Sequence, residues 1–336
     1  MRAVVLVGGF GTRLRPLTAS RPKQMLPIVH RPMLEHVLEH LATHAVDEAV
    51  LSMGYRPDVF RDAYPSGRHA GVRLHYAVED EPLDTAGAIR FAALDAGIDE
   101  RFVVVNGDVL TDLDVTRLVR FHAERGAEAT IALHRVEDPS AFGVVPTDAD
   151  GRVRAFVEKP PPGEAPTDLI NAGTYVLESS VIDRIPAARP VSMERATFPA
   201  LVADGRLFAM PGDTYWIDAG TPAKYIEAQL DLVHGRRGGC WRGVHPDAKV
   251  AAGATVTGSV VGPGAVVEDG AVVRSAVVLG GARVASGATV ADSVVGPGAV
   301  VGVGAEVLEG SVLGDEAVVE DCERLAGQRR PDVGAT

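Results

Sequence analysis

Glycines at positions 8, 9 and 11 open the run GGFGTRLRPLTASRPK, and Arg13, Arg15, Arg21 and Lys23 follow within it. Glycine lets backbone N–H groups close on an anion, and fixed cations beside them suit a polyphosphate. From Met1 to Leu34 there are six Arg or Lys and no Asp or Glu, in a chain of net charge -12. An acid-free segment in an acidic protein marks an anion site. Spacing excludes two familiar phosphate loops: a dinucleotide fingerprint needs glycine where Leu14 stands, and a Walker A loop needs Gly-Lys-Ser/Thr, which is absent. One acidic residue stands out: Asp108 follows the apolar run Phe102–Val105, and a carboxylate at the tip of a parallel strand suits a hard divalent cation, although by position alone it is equally a turn residue.

The elements that must hold these groups read as an α/β domain. Ala3–Val7 has the apolar, β-branched character of a buried parallel strand, which puts the glycines at its carboxyl end, where open α/β sheets bind ligands. Met33–His44 is predicted to be an amphipathic helix whose His36, His40 and His44 form a solvated face rather than a metal site. Strands are expected at Ala49–Ser52 and Val72–Val78, with a short helix over Asp58–Tyr64 between them. Asp112 and Asp114 read as turn and cap residues before a helix over Val115–Ala123. Further strands are expected at Ala129–Leu133, Gly143–Val145, Val153–Val157 and Ala172–Val176, with Pro160–Gly163 beginning a lid-like loop. Thr221-Pro222 should start a helix running to Val233, and Gly235–Gly243 reads as a Gly/Arg-rich linker.

From Val244 the pattern changes. Aliphatic residues recur at 244, 250, 256, 261, 267, 273, 278, 284, 290, 295, 301, 307, 312 and 318, in steps of 6, 6 and 5 with a period of 17. Such hexapeptide spacing means three short strands per coil stacked into a parallel β-helix, here about four coils and a partial fifth. The pattern lapses from Arg324, so residues 324–336 are expected to be a loose tail. The expected domains are 1–235, a linker at 236–243, and the β-helix at 244–323.

Composition narrows the function classes. The acidic balance argues against a nucleic-acid partner, which would need a broad basic surface. No apolar run approaches membrane-spanning length, and no charged-then-apolar leader precedes the first strand. Cys240 and Cys322 are too isolated for a disulfide framework or a zinc site, which fits a cytoplasmic home.

The run GGFGTRLRPLTASRPKQMLPI, with FVEKP (Phe156–Pro160), NAG (Asn171–Gly173) and WIDAGTP (Trp216–Pro222), closely resembles the sugar-1-phosphate nucleotidyltransferases, and within them the mannose-1-phosphate guanylyltransferases. The resemblance implies a Rossmann-like, glycosyltransferase-A-like α/β domain with a mixed sheet, followed by a left-handed parallel β-helix. It implies that Gly8, Gly9, Gly11, Thr12, Arg13, Lys23, Thr85, Gly87 and Asp108 meet an NTP, most simply GTP. Gly143, Glu158, Lys159 and Asn171 would take the sugar 1-phosphate, with Glu158 and Lys159 facing opposite ways as neighbours on a strand do, and Asp108 with Asp218 would bind Mg²⁺. Catalysis would rest on Arg13, Lys23, Asp108, Lys159 and Asp218. Asp84 stands where these enzymes usually have glycine, and Gln24 where guanylyltransferases more often have proline. Other nucleotides, other sugar phosphates and a silent NDP-sugar sensor are the competing readings, as is an acyltransferase on the β-helix. Against the last, the β-helix holds only His245 and no long loops, so it reads as a scaffold that favours homo-oligomers.

Overall fold

The computed structural model describes residues 1–187 and 189–332. The chain forms two compact units: Met1–Gly9 with Leu34–Trp216, and Phe10–Met33 with the chain from Ile217 onward. The grouping differs from a simple division near residue 235, because residues 10–33 cluster with the C-terminal half.

In the first unit a mixed sheet runs, in order, Val157–Glu158, Gly143–Val144, Leu169–Leu177, Phe102–Asn106, Arg2–Leu6, Glu48–Met53, Val72–Val78 and Arg68–His69. Phe102–Asn106, Arg2–Leu6, Glu48–Met53 and Val72–Val78 lie parallel, while Leu169–Leu177 joins antiparallel. Ala129–Arg135 pairs with Leu169–Leu177 and with Leu207–Gly212. The apolar runs behave as buried parallel strands should: Val4, Val5, Val103 and Val104 are fully enclosed. Helix Asp84–Asp95 buries Ala86, Ile89, Ala92 and Ala93, small side chains that bring its axis close to the sheet.

Three expectations need correction here. Helix Met33–Thr43 does not turn its histidines to solvent: His36 is 4% exposed, His40 and His44 pack edge to face at 4.9 Å, and His44 Nδ1 lies 3.0 Å from Thr116 Oγ1. The expected strand over Val153–Val157 is reduced to bridges at Arg152 and Val153 and the short strand Val157–Glu158. Its N–H groups divide between partners, Val153 donating to Leu207 O and Arg154 to Pro146 O, so no continuous ladder forms. The expectation that Glu158 and Lys159 face opposite ways also fails, because the strand stops at Glu158 and Lys159 takes a left-handed φ of 49°. The two side chains lie 3.6 Å apart.

In the second unit the hairpin Pro27–Ile28/Arg31–Pro32 is held by helix Pro222–Val233. Thr221 Oγ1 caps that helix by accepting from Lys224 N. Tyr225 Oη and the buried Gln229 Nε2 both donate to Pro27 O, and Gln229 Oε1 accepts from Val29 N.

The left-handed parallel β-helix follows as three sheets of five strands each among the described residues. Val261, Val278, Val295 and Leu313 stack within the bore, as do Val267, Val284, Val301 and Val319 on the next sheet. Thus Leu313 and Val319 point inward, where the regular spacing had placed Val312 and Val318. Val294 pairs with Val312, eighteen residues on, whereas Val277 pairs with Val294 at seventeen. The extra residue falls in the turn Leu308–Ser311, where Glu309 and Gly310 both have positive φ. This insertion hid the last rung. Arg324–Ala326 and Arg329–Arg330 pair with Glu306–Leu308 and Val312–Leu313, so the expected loose tail from 324 is strand as far as 330. Residues 333–336 lie outside the described part.

One sheet of the β-helix is unlike the others. Val260, Val277, Val294 and Val312 alternate with the bore residues and so face outward, yet each is at most 2% exposed. The equivalent outward position on a neighbouring sheet, Val318, is 47% exposed.

Candidate active site

The candidate site residues are divided between the two units. In the first unit, Gly8 and Gly9 leave the carboxyl end of Arg2–Leu6, and Asp108 leaves that of the neighbouring Phe102–Asn106. Gly107 N donates to Leu6 O, which ties the two turns together. A Cβ on Gly8 would lie 3.3 Å from Gly54 N, so the backbone there is tightly approached. Asp108 is buried at 8% exposure. Glu79, which sequence reasoning passed over, is a buried carboxylate accepting from Ser52 Oγ (2.8 Å) and Leu83 N (3.1 Å), and so fixes the turn into helix Asp84–Asp95.

That turn explains the departure at Asp84. Its φ is 58°, a left-handed conformation that glycine adopts without penalty. Asp84 compensates locally by accepting the Thr85 N–H on Oδ1 at 2.7 Å. The Thr85 hydroxyl is committed within the fold: it accepts from Met193 N and donates to Glu194 Oε2, both at 2.8 Å. A Cβ on Gly87 would lie 2.8 Å from Leu83 Cβ, so packing alone requires glycine there.

The residues expected to take the sugar 1-phosphate sit together on the adjoining edge. Gly143 pairs with Glu158, and a Cβ on Gly143 would fall 2.6 Å from the Phe156 ring. Lys159, 62% exposed, donates its backbone N–H to Phe142 O. The Asn171-Ala172-Gly173 run lies at a register shift in its strand. Asn171 donates to Tyr175 Oη and accepts from Gly173 N, while Gly173 (φ 73°) packs so closely on Asn106 that a Cβ would come within 2.6 Å of Nδ2. Trp216 Nε1 donates to Ala172 O, and its ring stacks on His134 at 5.2 Å. Burial holds the His134 imidazole below its ordinary range, against the opposing pull of Asp213.

In the second unit Gly11 (φ 62°) begins a tight loop: its carbonyl accepts from Leu14 N and Thr18 Oγ1, and a Cβ there would strike Thr18 and Lys23 Cβ. Thr12 and Arg13 lie at the exposed tip in the short 3₁₀ turn Thr12–Leu14. Arg13 Nη2 lies 3.9 Å from Asp218 Oδ2, too far for a hydrogen bond but within ion-pair range. Asp218 Oδ1 accepts from Gly220 N at 2.8 Å. A Cβ on Gly220 would fall 2.7 Å from both Arg13 Nη2 and Asp218 Oδ1. Gln24 is buried at 1% exposure, and its Oε1 makes no hydrogen bond among the described residues.

Not every cation of the acid-free segment serves an anion. Arg2 pairs with Glu100, Arg21 with Asp315 at 2.5 Å, and Arg31 lies over the Trp241 ring. The donor set fits a hard divalent cation in one specific sense. No group of three or more His, Cys, Asp or Glu side chains forms a cage among the described residues. Two carboxylates, with phosphate and water completing the shell, are what Mg²⁺ prefers.

Comparison with known proteins places these residues in context. The family described as Nucleotidyl transferase matches residues 2–235, and the GMPPB C-terminal domain matches residues 242–329. The mannose-1-phosphate guanylyltransferase of Mycobacterium tuberculosis is 44% identical over 293 residues, covering 84% of this chain and 80% of that protein. The mannose-1-phosphate guanyltransferase of Aspergillus fumigatus is 42% identical over 67% of this chain, which spans 62% of the fungal protein's length. Among solved structures, HddC from Yersinia pseudotuberculosis is 31% identical with a TM-score of 0.60, covering 68% of this chain and 97% of its own. The same protein complexed with GMP-PN gives a TM-score of 0.58 at 30% identity, over 68% of this chain and 97% of that one.

Proposed function

Because the chain belongs to the nucleotidyl transferase family, we propose that it transfers GMP from GTP to mannose 1-phosphate, forming GDP-mannose and releasing pyrophosphate. The observation that carries this reading is the meeting of Arg13 of the Gly-rich loop with Asp218 and Gly220, in a chain similar over 84% of its length to a named guanylyltransferase. The choice of guanine rests on those relatives' names and on the neighbour that takes GMP-PN.

The acceptor phosphate has a second pKa near ~6 and is largely a dianion at neutral pH, so the reaction needs no general base. The protein's task is to bring two anionic groups into line and to offset charge at the α-phosphorus. Backbone N–H groups at Gly8, Gly9, Gly11 and Thr12 bind the triphosphate, and Arg13 and Lys23 steady it and the departing pyrophosphate. Thr85 and Gly87 line the base by contact rather than by donated hydrogen bonds, since the Thr85 hydroxyl and both N–H groups are already engaged. Lys159 holds the sugar phosphate as a mobile point charge, with Glu158, Asn171 and the bare backbone of Gly143 taking sugar hydroxyls. Family members generally use a divalent metal. In our reading it would be Mg²⁺, which Asp108 and Asp218 would hold and which would supply positive charge to offset that of the phosphates. Among the described residues no helix is long and apolar enough to cross a membrane. A cytoplasmic protein that self-associates through its β-helix completes the reading, and a monomeric mass in solution would remove the second part.

The deciding experiment incubates purified protein and Mg²⁺ with GTP, UTP, dTTP or ATP against several sugar 1-phosphates and follows pyrophosphate release. Fastest turnover with GTP and mannose 1-phosphate is expected. Preference for another NTP would overturn the base assignment, and no release with any pair would overturn the transferase. Labelled pyrophosphate entering GTP without sugar phosphate would point instead to a nucleotidylated enzyme.

A further inference from the structure

Resting on that reading, we infer that the last rung of the β-helix positions the phosphate-binding loop, with Asp315 and Arg329 as its positioning residues. Three contacts support it, all inside the second unit. Arg329 Nη2 donates to the main-chain carbonyl of Arg13 at 3.0 Å. Pro16 lies directly on Gly314, where a Cβ would fall 2.9 Å from Pro16 Cβ, so the coil is bare where the loop crosses it. Asp315 Oδ2 accepts from Ser20 Oγ at 2.7 Å and from Arg21 Nη2 at 2.5 Å. The loop is therefore gripped at 13, 16 and 20–21 by residues nearly three hundred positions away in the chain.

The contacts fall on one short piece of coil. Strand Arg329–Arg330 pairs with Val312–Leu313, and Gly314 N donates to Arg330 O at 2.7 Å, so Gly314, Asp315 and Arg329 form a single ledge. Arg330 is tied back to Glu323, which fixes that strand. The side chain of Arg13 points from the gripped loop toward Asp218. Its guanidinium is thus aimed from a backbone held at the far side by Arg329. Partly exposed ion pairs add little to folding, and Arg21 and Asp315 are about 30% exposed in their side chains. What the ledge supplies is the placement of the loop, and misplacing a reacting group by about 1 Å costs on the order of 100-fold in rate. A cation that the loop's composition offers to phosphate, Arg21, is instead part of the grip.

The test uses the full chain. Arg329→Ala and Asp315→Ala should each lower kcat/KM for the NTP about 100-fold, through both a higher KM and a lower kcat. The KM for the sugar 1-phosphate should stay within about twofold of wild type, because its proposed ligands lie elsewhere. Arg329→Lys, which keeps a donor for the Arg13 carbonyl, should recover most of the loss. Hydrogen exchange read by mass spectrometry should be faster over residues 11–21 in both alanine variants. Wild-type NTP kinetics in both, equal damage to both substrates' KM, or unchanged exchange over the loop would overturn the inference. If Asp315→Ala does not fold, Arg329→Ala decides, since its side chain is exposed. A wild-type protein inert with every NTP would defeat the transferase reading alone, and the exchange measurement would still decide the grip.

Discussion

Gly220→Ala separates the chemistry of the site from its stability. No left-handed φ constrains Gly220, so alanine fits the backbone and the effect comes from contact alone. The new methyl would lie 2.7 Å from Arg13 Nη2 and 2.7 Å from Asp218 Oδ1. Ordinary contact begins near 3.4 Å, so each neighbour must retreat by roughly 0.7 Å. Both atoms end rotatable side chains, and Arg13 is 62% exposed, so the retreat costs the fold little. We expect a loss of about 1 kcal/mol or less, a shift in Tm of only about 2–4 °C for a chain of this size. The atoms that move are the proposed phosphate cation and metal ligand. Losing one such electrostatic stabiliser costs about 100- to 1000-fold in kcat, some 2.7–4 kcal/mol. The assay is pyrophosphate release at saturating substrates beside a thermal melt. Gly212→Ala is the control, because a Cβ there meets nothing nearer than 3.6 Å. Gly220→Ala turning over within a few-fold of wild type would refute the assignment of Arg13 and Asp218.

Other outcomes follow from single features. Asp108→Asn and Lys23→Ala should each cut turnover at least about 100-fold with the fold intact, checked by kinetics and circular dichroism. Asp84→Gly should leave stability unchanged or raise it by up to about 1 kcal/mol, since relief of the left-handed conformation outweighs one local hydrogen bond, and a lowered melting temperature would contradict this. Val290→Ala, in the centre of the bore, should cost about 2 kcal/mol in denaturant unfolding. Burial holds the His122 imidazole below its ordinary range, against the opposing bond to Glu178. Its folded value lies below its unfolded one, so its contribution to stability is present above pH 6.5 and declines as pH falls below it. The hydrogen bond from Arg2 drives Glu100 down to about 2, so that contribution is lost as pH falls from about 4.5 toward 2. His122→Asn should flatten the first part of a stability curve measured against pH.

The positions of the candidate site residues at turns and caps were legible because each joins a local pattern to a local need. Gly8, Asp108 and Thr221 stand at strand ends and a helix start whose apolar neighbours mark them. The β-helix was legible for four rungs because its repeat is arithmetic, and it was lost where the turn at Leu308–Ser311 gains one residue. The histidines of Met33–Thr43 were misjudged because periodicity identifies an apolar face without saying how many other sides are covered. Glu158 and Lys159 were misjudged because a strand's alternation fails one residue beyond its end. Glu79 had no signal at all, since its value lies in hydrogen bonds to Ser52 and Leu83. Asp315 and Arg329 are as silent, because nothing in a coil's repeat reveals which edge meets residues near the other terminus.

Val260, Val277, Val294 and Val312 present a water-shy stripe along the outside of the coil, and in the whole chain it is dry. A fragment beginning at Val244 would wet that stripe and should clump rather than stay dispersed. The hexapeptide half is therefore no interchangeable cassette: its surface is finished by residues that precede it.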